Sequence, residues 1–273
     1  MSTNIYRDQL VEPGDRVISA FDNMPWDVAS EQAREIGPYI GYAKTNSLHQ
    51  RMGTDHAVAV NAESGLYTFV DGKYHDIPET VKSHVREVTQ SGAALITVHA
   101  AGGVPMLQAA VEGREEGKDL ITDVFKRSSI DRLGGLLGIT VLTSLDFDDC
   151  VSIFGIDEED VGAKKKKVVQ FANMALEAGL DGIVCSADEV DAIRANSNFD
   201  SLLAVVPGIT PPFAKKAGDQ KATGTPTDAI NRGADCIVVG RAINQADKYD
   251  LTKAQAAVMI ADELKEALAA RNV

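Results

Sequence analysis

A chain of 273 residues, 44% hydrophobic and 25% charged, carries enough apolar material for one large core or two smaller ones. Its formal net charge of -13 argues against nucleic-acid binding, which needs a basic face. The opening MSTNIYRDQLVEPGDR lacks the apolar core of a targeting signal, and no run approaches the length of a membrane span.

The expected elements alternate along the chain. Arg16 to Asp22 (RVISAFD) is the first short apolar, β-rich run, and the helical pattern WDVASEQAREI follows it. Tyr39 to Thr45 is the second run. The third, Leu66 to Lys73 (LYTFVDGK), leads into ETVKSHVREVTQSG, with Gly92 as its stop. The fourth, Ala94 to Ala100, precedes VPMLQAAVEGREEG, and Gly138 to Ser144 is the fifth. Next comes AKKKKVVQFANMALEAGL, whose lysines follow the acidic stretch Asp157 to Asp160 and read as the solvated face of a helix. Asp181 to Ala187, Leu202 to Gly208 and Asp235 to Arg241 are runs six to eight, and LTKAQAAVMIADELKEALAARNV closes the chain. Cys150, Cys185 and Cys236 are too widely spaced for a zinc site or a disulfide framework, so they are expected to be buried thiols in a reducing cytoplasm.

Eight strand–helix units with no Ser/Gly linker point to a single domain over residues 1–273, a parallel (β/α)8 barrel. The alternative is a doubly wound open sheet. That fold normally places a Gly-rich phosphate loop after its first strand, and AFDNMPWD is not one.

Barrel enzymes hold their active sites at the C-terminal ends of the strands. Here those ends carry Asp22, Lys44, Asp71 with Lys73, His99, Ser144, Ser186, and Gly240 with Arg241. Period-two alternation places Asp71 and Lys73 on one face, with Lys44 of the neighbouring strand close by if that face is inward. Completed by Asp76, these groups would form a neutral, mutually hydrogen-bonded cluster, which is how buried charges become tolerable. A purely structural ion-pair network is the competing reading. Gly240 and Arg241 leave the eighth run into a short helix-like turn, where backbone N–H groups beside an arginine make an anion site. The preceding GITPPFAKKAGDQKATGTP has the composition of a lid over a charged ligand. His99 is expected behind the site rather than in it. No set of metal ligands and no nucleophile elbow is present in the sequence.

The stretch DGKYHDIPETV resembles the D-x-K-x-x-D-I-P-x-T signature of the orotidine 5'-phosphate decarboxylase family. Asp22, Lys44, VHAAGG, VLTS, LDGIVCSADE, VVPGITP with GDQ, and VVGRAI follow in the family's order from Arg16 to the C-terminus. The resemblance implies a (β/α)8 barrel that forms a homodimer with shared active sites and converts orotidine monophosphate to UMP and CO2 with no cofactor and no metal. It implies that Lys44, Asp71 and Lys73 form a charged array, while Asp76 and Thr80 enter the partner subunit's site. By the same similarity Asp22, Lys44 and Thr80 contact ribose hydroxyls, Ser144 contacts the pyrimidine amide, and Gln220, Gly240 and Arg241 bind phosphate. The chain departs from the family at Gly72, where a larger apolar residue is usual, and at YAKTNS and AFD. Two other readings remain. Sister barrels acting on sugar phosphates resemble D-x-K-x-x-D too, but depend on magnesium and carry an acidic residue where this chain has Lys44. A catalytically silent barrel would bind the nucleotide without turnover.

Overall fold

Each of the eight apolar runs carries all or part of a strand. A computed structural model describes residues 4–121, 132–215 and 224–271. The strands are β1 (Val17–Ala20), β2 (Tyr42–Thr45), β3 (Tyr67–Tyr74), β4 (Leu95–His99), β5 (Gly135–Ile139), β6 (Gly182–Val184), β7 (Leu203–Val206) and β8 (Cys236–Val239). They pair in parallel in sequence order, and β8 returns to β1 with Val17 opposite Ile237. That last pairing closes a (β/α)8 barrel and rules out the open sheet.

The in–out alternation explains the near-continuous apolar runs. Ile18, Tyr42, Phe69, Leu95, Leu137 and Val205 pack together inside the barrel. Their neighbours Val17, Ala43, Val70, Ile96, Leu136 and Val206 join the core between sheet and helices. A strand covered on both faces has no polar side to show. The helices Trp26–Ile36, Pro78–Gln90, Val104–Asp119, Ala163–Ala178 and Lys253–Arg271 fall within a residue or two of their expected bounds. No helix among the described residues is long and apolar enough to cross a membrane.

The fifth strand corrects the sequence reading. It runs from Gly135, not from Gly138 to Ser144, because β4 dictates its register from Leu95–Gly135 through to His99–Ile139. A glycine-rich start reads as a break in the sequence. In the structure Gly135 is required, since a Cβ there would come within 2.8 Å of the Tyr6 ring. Tyr6 belongs to the short helix Ile5–Asp8, which sequence periodicity did not reveal. Its ring joins the interior cluster, and its hydroxyl donates to the Leu133 carbonyl at 2.9 Å, sealing the barrel at the strand N-termini.

The lysine tract behaves largely as expected. Lys166 pairs with Asp160 at 2.6 Å, whereas Lys164 turns inward and donates to the Leu145 carbonyl at 2.8 Å. All three cysteines are buried free thiols.

Candidate active site

At the strand C-termini the barrel opens into a cavity of about 560 Å³. Its floor is apolar, set by the last inward side chains of the strands, among them Ala20, Phe69, Ile139, Val205 and Val238. One side of the wall carries Asp22, Lys44, Asp71 and Lys73, and Gly240 and Arg241 stand at the rim opposite the floor.

The four charged groups form a continuous chain. Lys44 Nζ donates to Asp22 at 3.1 and 3.2 Å and to Asp71 Oδ2 at 3.0 Å. Lys73 Nζ reaches the same Asp71 oxygen at 2.5 Å. Two carboxylates and two ammoniums alternate, so the array is neutral although Lys44 and Asp71 are buried. Burial works against the charged form of Lys44, but Asp71 and Asp22 outweigh it and its pKa is raised. Burial likewise opposes the Asp71 carboxylate, and Lys44 and Lys73 outweigh it, so that pKa is lowered. Both members of the pair are therefore charged across the neutral range.

The local backbone that presents these groups is irregular. β3 shifts register against β4 between Val70 and Tyr74, and Lys73 adopts a left-handed conformation with φ +47°. Asp71 and Lys73 share a side through this bulge, not through regular alternation. Two side chains that the sequence reading passed over hold the bulge. Thr97 of β4 donates its hydroxyl to Asp71 Oδ1 at 3.0 Å and accepts the Lys73 N–H at 2.9 Å. Asn46, part of the unusual YAKTNS stretch, donates to the Asp71 carbonyl at 2.8 Å. The signal for Thr97 was available, as the polar inward position in an otherwise apolar LITV run. Gly72 also finds its reason here: a Cβ would lie 2.5 Å from the Tyr74 ring, which turns back over it.

The remaining candidates divide. Asp76 does not complete the array within its own chain; it is exposed, and its Oδ1 accepts the Ile77 N–H at 2.7 Å. In its place Asp22 is the fourth member. Thr80 lies on the first turn of the helix Pro78–Gln90, also away from the cavity of its own chain. Ser144 is exposed beyond β5, and its neighbour Thr143 lines the cavity. Gln220 lies outside the described residues. Ser186, grouped with the strand ends in the sequence, caps the helix Ala187–Arg194 in a reciprocal box with Glu189. His99 sits behind the array, its ring centre 5.4 Å from that of His75. Burial lowers the His99 pKa, and the charges of His75 and Lys73 lower it further. The sequence also gave no hint of Gln245, Lys248 and Tyr249, which line the cavity beyond β8.

Comparison with known proteins identifies the family of the chain. The family described as orotidine 5'-phosphate decarboxylase / HUMPS matches residues 15–257. The chain is 40% identical to the orotidine 5'-phosphate decarboxylase of Anaeromyxobacter sp. (strain K) over 238 residues, covering 86% of this chain and 94% of that one. It is 37% identical to the orotidine 5'-phosphate decarboxylase of Heliobacterium modesticaldum over 270 residues, covering 96% of this chain and all (100%) of that one. The crystal structure of the orotidine 5'-phosphate decarboxylase from Lactobacillus acidophilus superposes with a TM-score of 0.72 at 28% identity, covering 92% of this chain and 99% of that one. A closed eight-stranded barrel with a lysine–aspartate array at its mouth, matched over nearly its whole length by these relatives, belongs to the orotidine 5'-phosphate decarboxylase / HUMPS family.

Proposed function

We propose that the chain, acting as one barrel domain over residues 1–273, decarboxylates orotidine monophosphate to UMP and CO2 without a cofactor. The observation that carries this reading is the half-buried ammonium of Lys73, held over the cavity by Asp71 while Lys44 balances the remaining charge. When the C6–carboxylate bond breaks, its electron pair stays on C6 and CO2 departs. A fixed cation beside C6 offsets the developing charge, and Lys73 Nζ then gives a proton to C6 and is reprotonated from solvent. Asp71 beside the substrate carboxylate would add a like-charge repulsion that is relieved as CO2 leaves. Asp22 and Lys44 would bind ribose hydroxyls and Ser144 the pyrimidine amide. Gln220, Gly240 and Arg241 would hold the phosphate, whose remote binding energy can order the site.

Asp76 and Thr80 fit this scheme as residues lent to a partner subunit in a homodimer. Asp76 is exposed next to Ile77, an apolar side chain left 66% exposed on the same turn. The buried free thiols suit a cytoplasmic protein. Against the magnesium-dependent sugar-phosphate reading stands Lys44, an ammonium bound to Asp22 and Asp71 at the strand end where those barrels carry an acidic residue.

The test follows the ultraviolet absorbance of orotidine monophosphate mixed with the purified protein, with and without EDTA, beside Lys73→Ala. Conversion that EDTA leaves intact and that falls at least about a thousandfold in the variant is expected. UMP binding without turnover would favour the silent barrel, and loss of turnover in EDTA would overturn cofactor independence.

A further inference from the structure

We propose that Thr97 is a positioning residue for the array: its hydroxyl fixes which oxygen of Asp71 faces the lysines and holds the backbone that aims Lys73. This rests on the proposed role of Asp71 and Lys73 in decarboxylation. Thr97 is fully buried and does not line the cavity, so it has no path to a substrate.

Its two hydrogen bonds leave the hydroxyl no freedom. The Lys73 N–H can only donate, so the hydroxyl oxygen accepts from it at 2.9 Å. The hydroxyl proton is then committed to Asp71 Oδ1 at 3.0 Å. With Oδ1 occupied, both ammoniums converge on Oδ2, at 3.0 Å for Lys44 and 2.5 Å for Lys73. Without the hydroxyl, the Asp71 carboxyl can rotate about its terminal bond and present either oxygen, or both, to the lysines. The same loss strands the N–H of a residue in the left-handed region, a conformation that a non-glycine side chain resists. Lys73 Nζ then loses its fixed direction toward the cavity. Thr97 thus couples the orientation of the carboxylate to the bulge that carries the ammonium.

Thr97→Val keeps the shape and removes both hydrogen bonds, whereas Thr97→Ser keeps the hydroxyl. Steady-state turnover of orotidine monophosphate and UMP binding would be measured for both and for the wild type, with thermal melts as the folding check. For Thr97→Val the expected result is a kcat lowered by about 10- to 100-fold, the range of a hydrogen bond to a charged group, with UMP affinity within about threefold of wild type. Thr97→Ser should recover kcat to within about threefold. Should Thr97→Val not fold, Thr97→Ala against Thr97→Ser makes the same comparison, with the alanine variant expected to lose kcat. A hydroxyl-free variant with wild-type kcat, or a serine variant as impaired as the hydroxyl-free one, overturns the role of Thr97 while wild-type turnover stands. An inactive wild type overturns the decarboxylase reading and this inference together.

Discussion

Two buried aspartates mark the two ends of this barrel, and each is held by two cations. Asp235, 7% exposed, closes the N-terminal end with Arg7 and Arg194; Asp71, 6% exposed, stands at the C-terminal end with Lys44 and Lys73. At the closed end four of the five donors of each guanidinium have a partner. Arg7 grips both oxygens of Asp235 at 2.8 and 3.0 Å and also donates to the Leu202 carbonyl, Arg194 reaches the carbonyls of Gly233 and Phe199, and the Ala204 N–H occupies Asp235 Oδ2 as well. The planar guanidinium suits such saturation. At the open end the cations are lysines, and among the described residues Lys73 Nζ hydrogen-bonds to Asp71 alone while facing a cavity. The same charges therefore make a staple where nearly all donors are bound and a reactive site where one ammonium keeps protons to spare.

The sharpest way to break the comparison is Asp235→Ala. It leaves two half-buried guanidinium groups without their buried carboxylate and should cost about 3 kcal/mol of stability by urea denaturation. Turnover per folded molecule should not change; a lost kcat would mean that the two ends are not independent. Lys44→Met acts in the opposite sense. Asp71 retains Lys73, so the stability loss should be smaller than for Asp235→Ala, while kcat should fall at least about a hundredfold as the charge balance of the array is lost. Equal damage to stability from both variants would erase the distinction between staple and site.

The smallest effect is expected from pH in the neutral range. The Asp71 pKa lies below its ordinary value of 3.8, so the stability it contributes is present above that pH and lost as acid takes the pH down through the lowered pKa. The Lys44 pKa lies above its ordinary 10.5, so its contribution is present below that pH and lost as the pH rises through the raised value. Between these limits the array should leave the unfolding free energy flat. A slope near pH 7 that disappears in Lys44→Met would contradict the charge assignment.

Much of this was legible in the sequence, because strands covered on both faces must be apolar throughout and their polar ends then stand out. Lys44, Asp71 and Lys73 came together as their places at the strand ends suggested, although a bulge replaces the regular alternation expected between the last two. What escaped the sequence lay where local rules give way to neighbours. β5 starts at Gly135, which the closeness of Tyr6 and Leu95 explains, and no periodicity marks a four-residue helix. Asp76 was grouped with the array by proximity along the chain, but β3 ends at Tyr74 and Asp76 lies exposed beyond it. Ser186 looked like a site residue because a strand end and a helix cap occupy the same few positions in a β–α unit.

The floor of the barrel has an order in time built into it. Asn4 donates to the carbonyls of Asp181 and Ser201, 177 and 197 residues away, and Arg7 reaches Asp235 across 228. On a ribosome the first turn of this chain is made long before any of those partners exists. A segment synthesised well before its partners therefore finds its place late, and β7 and β8 must already be laid down before Arg7 can bind beneath them.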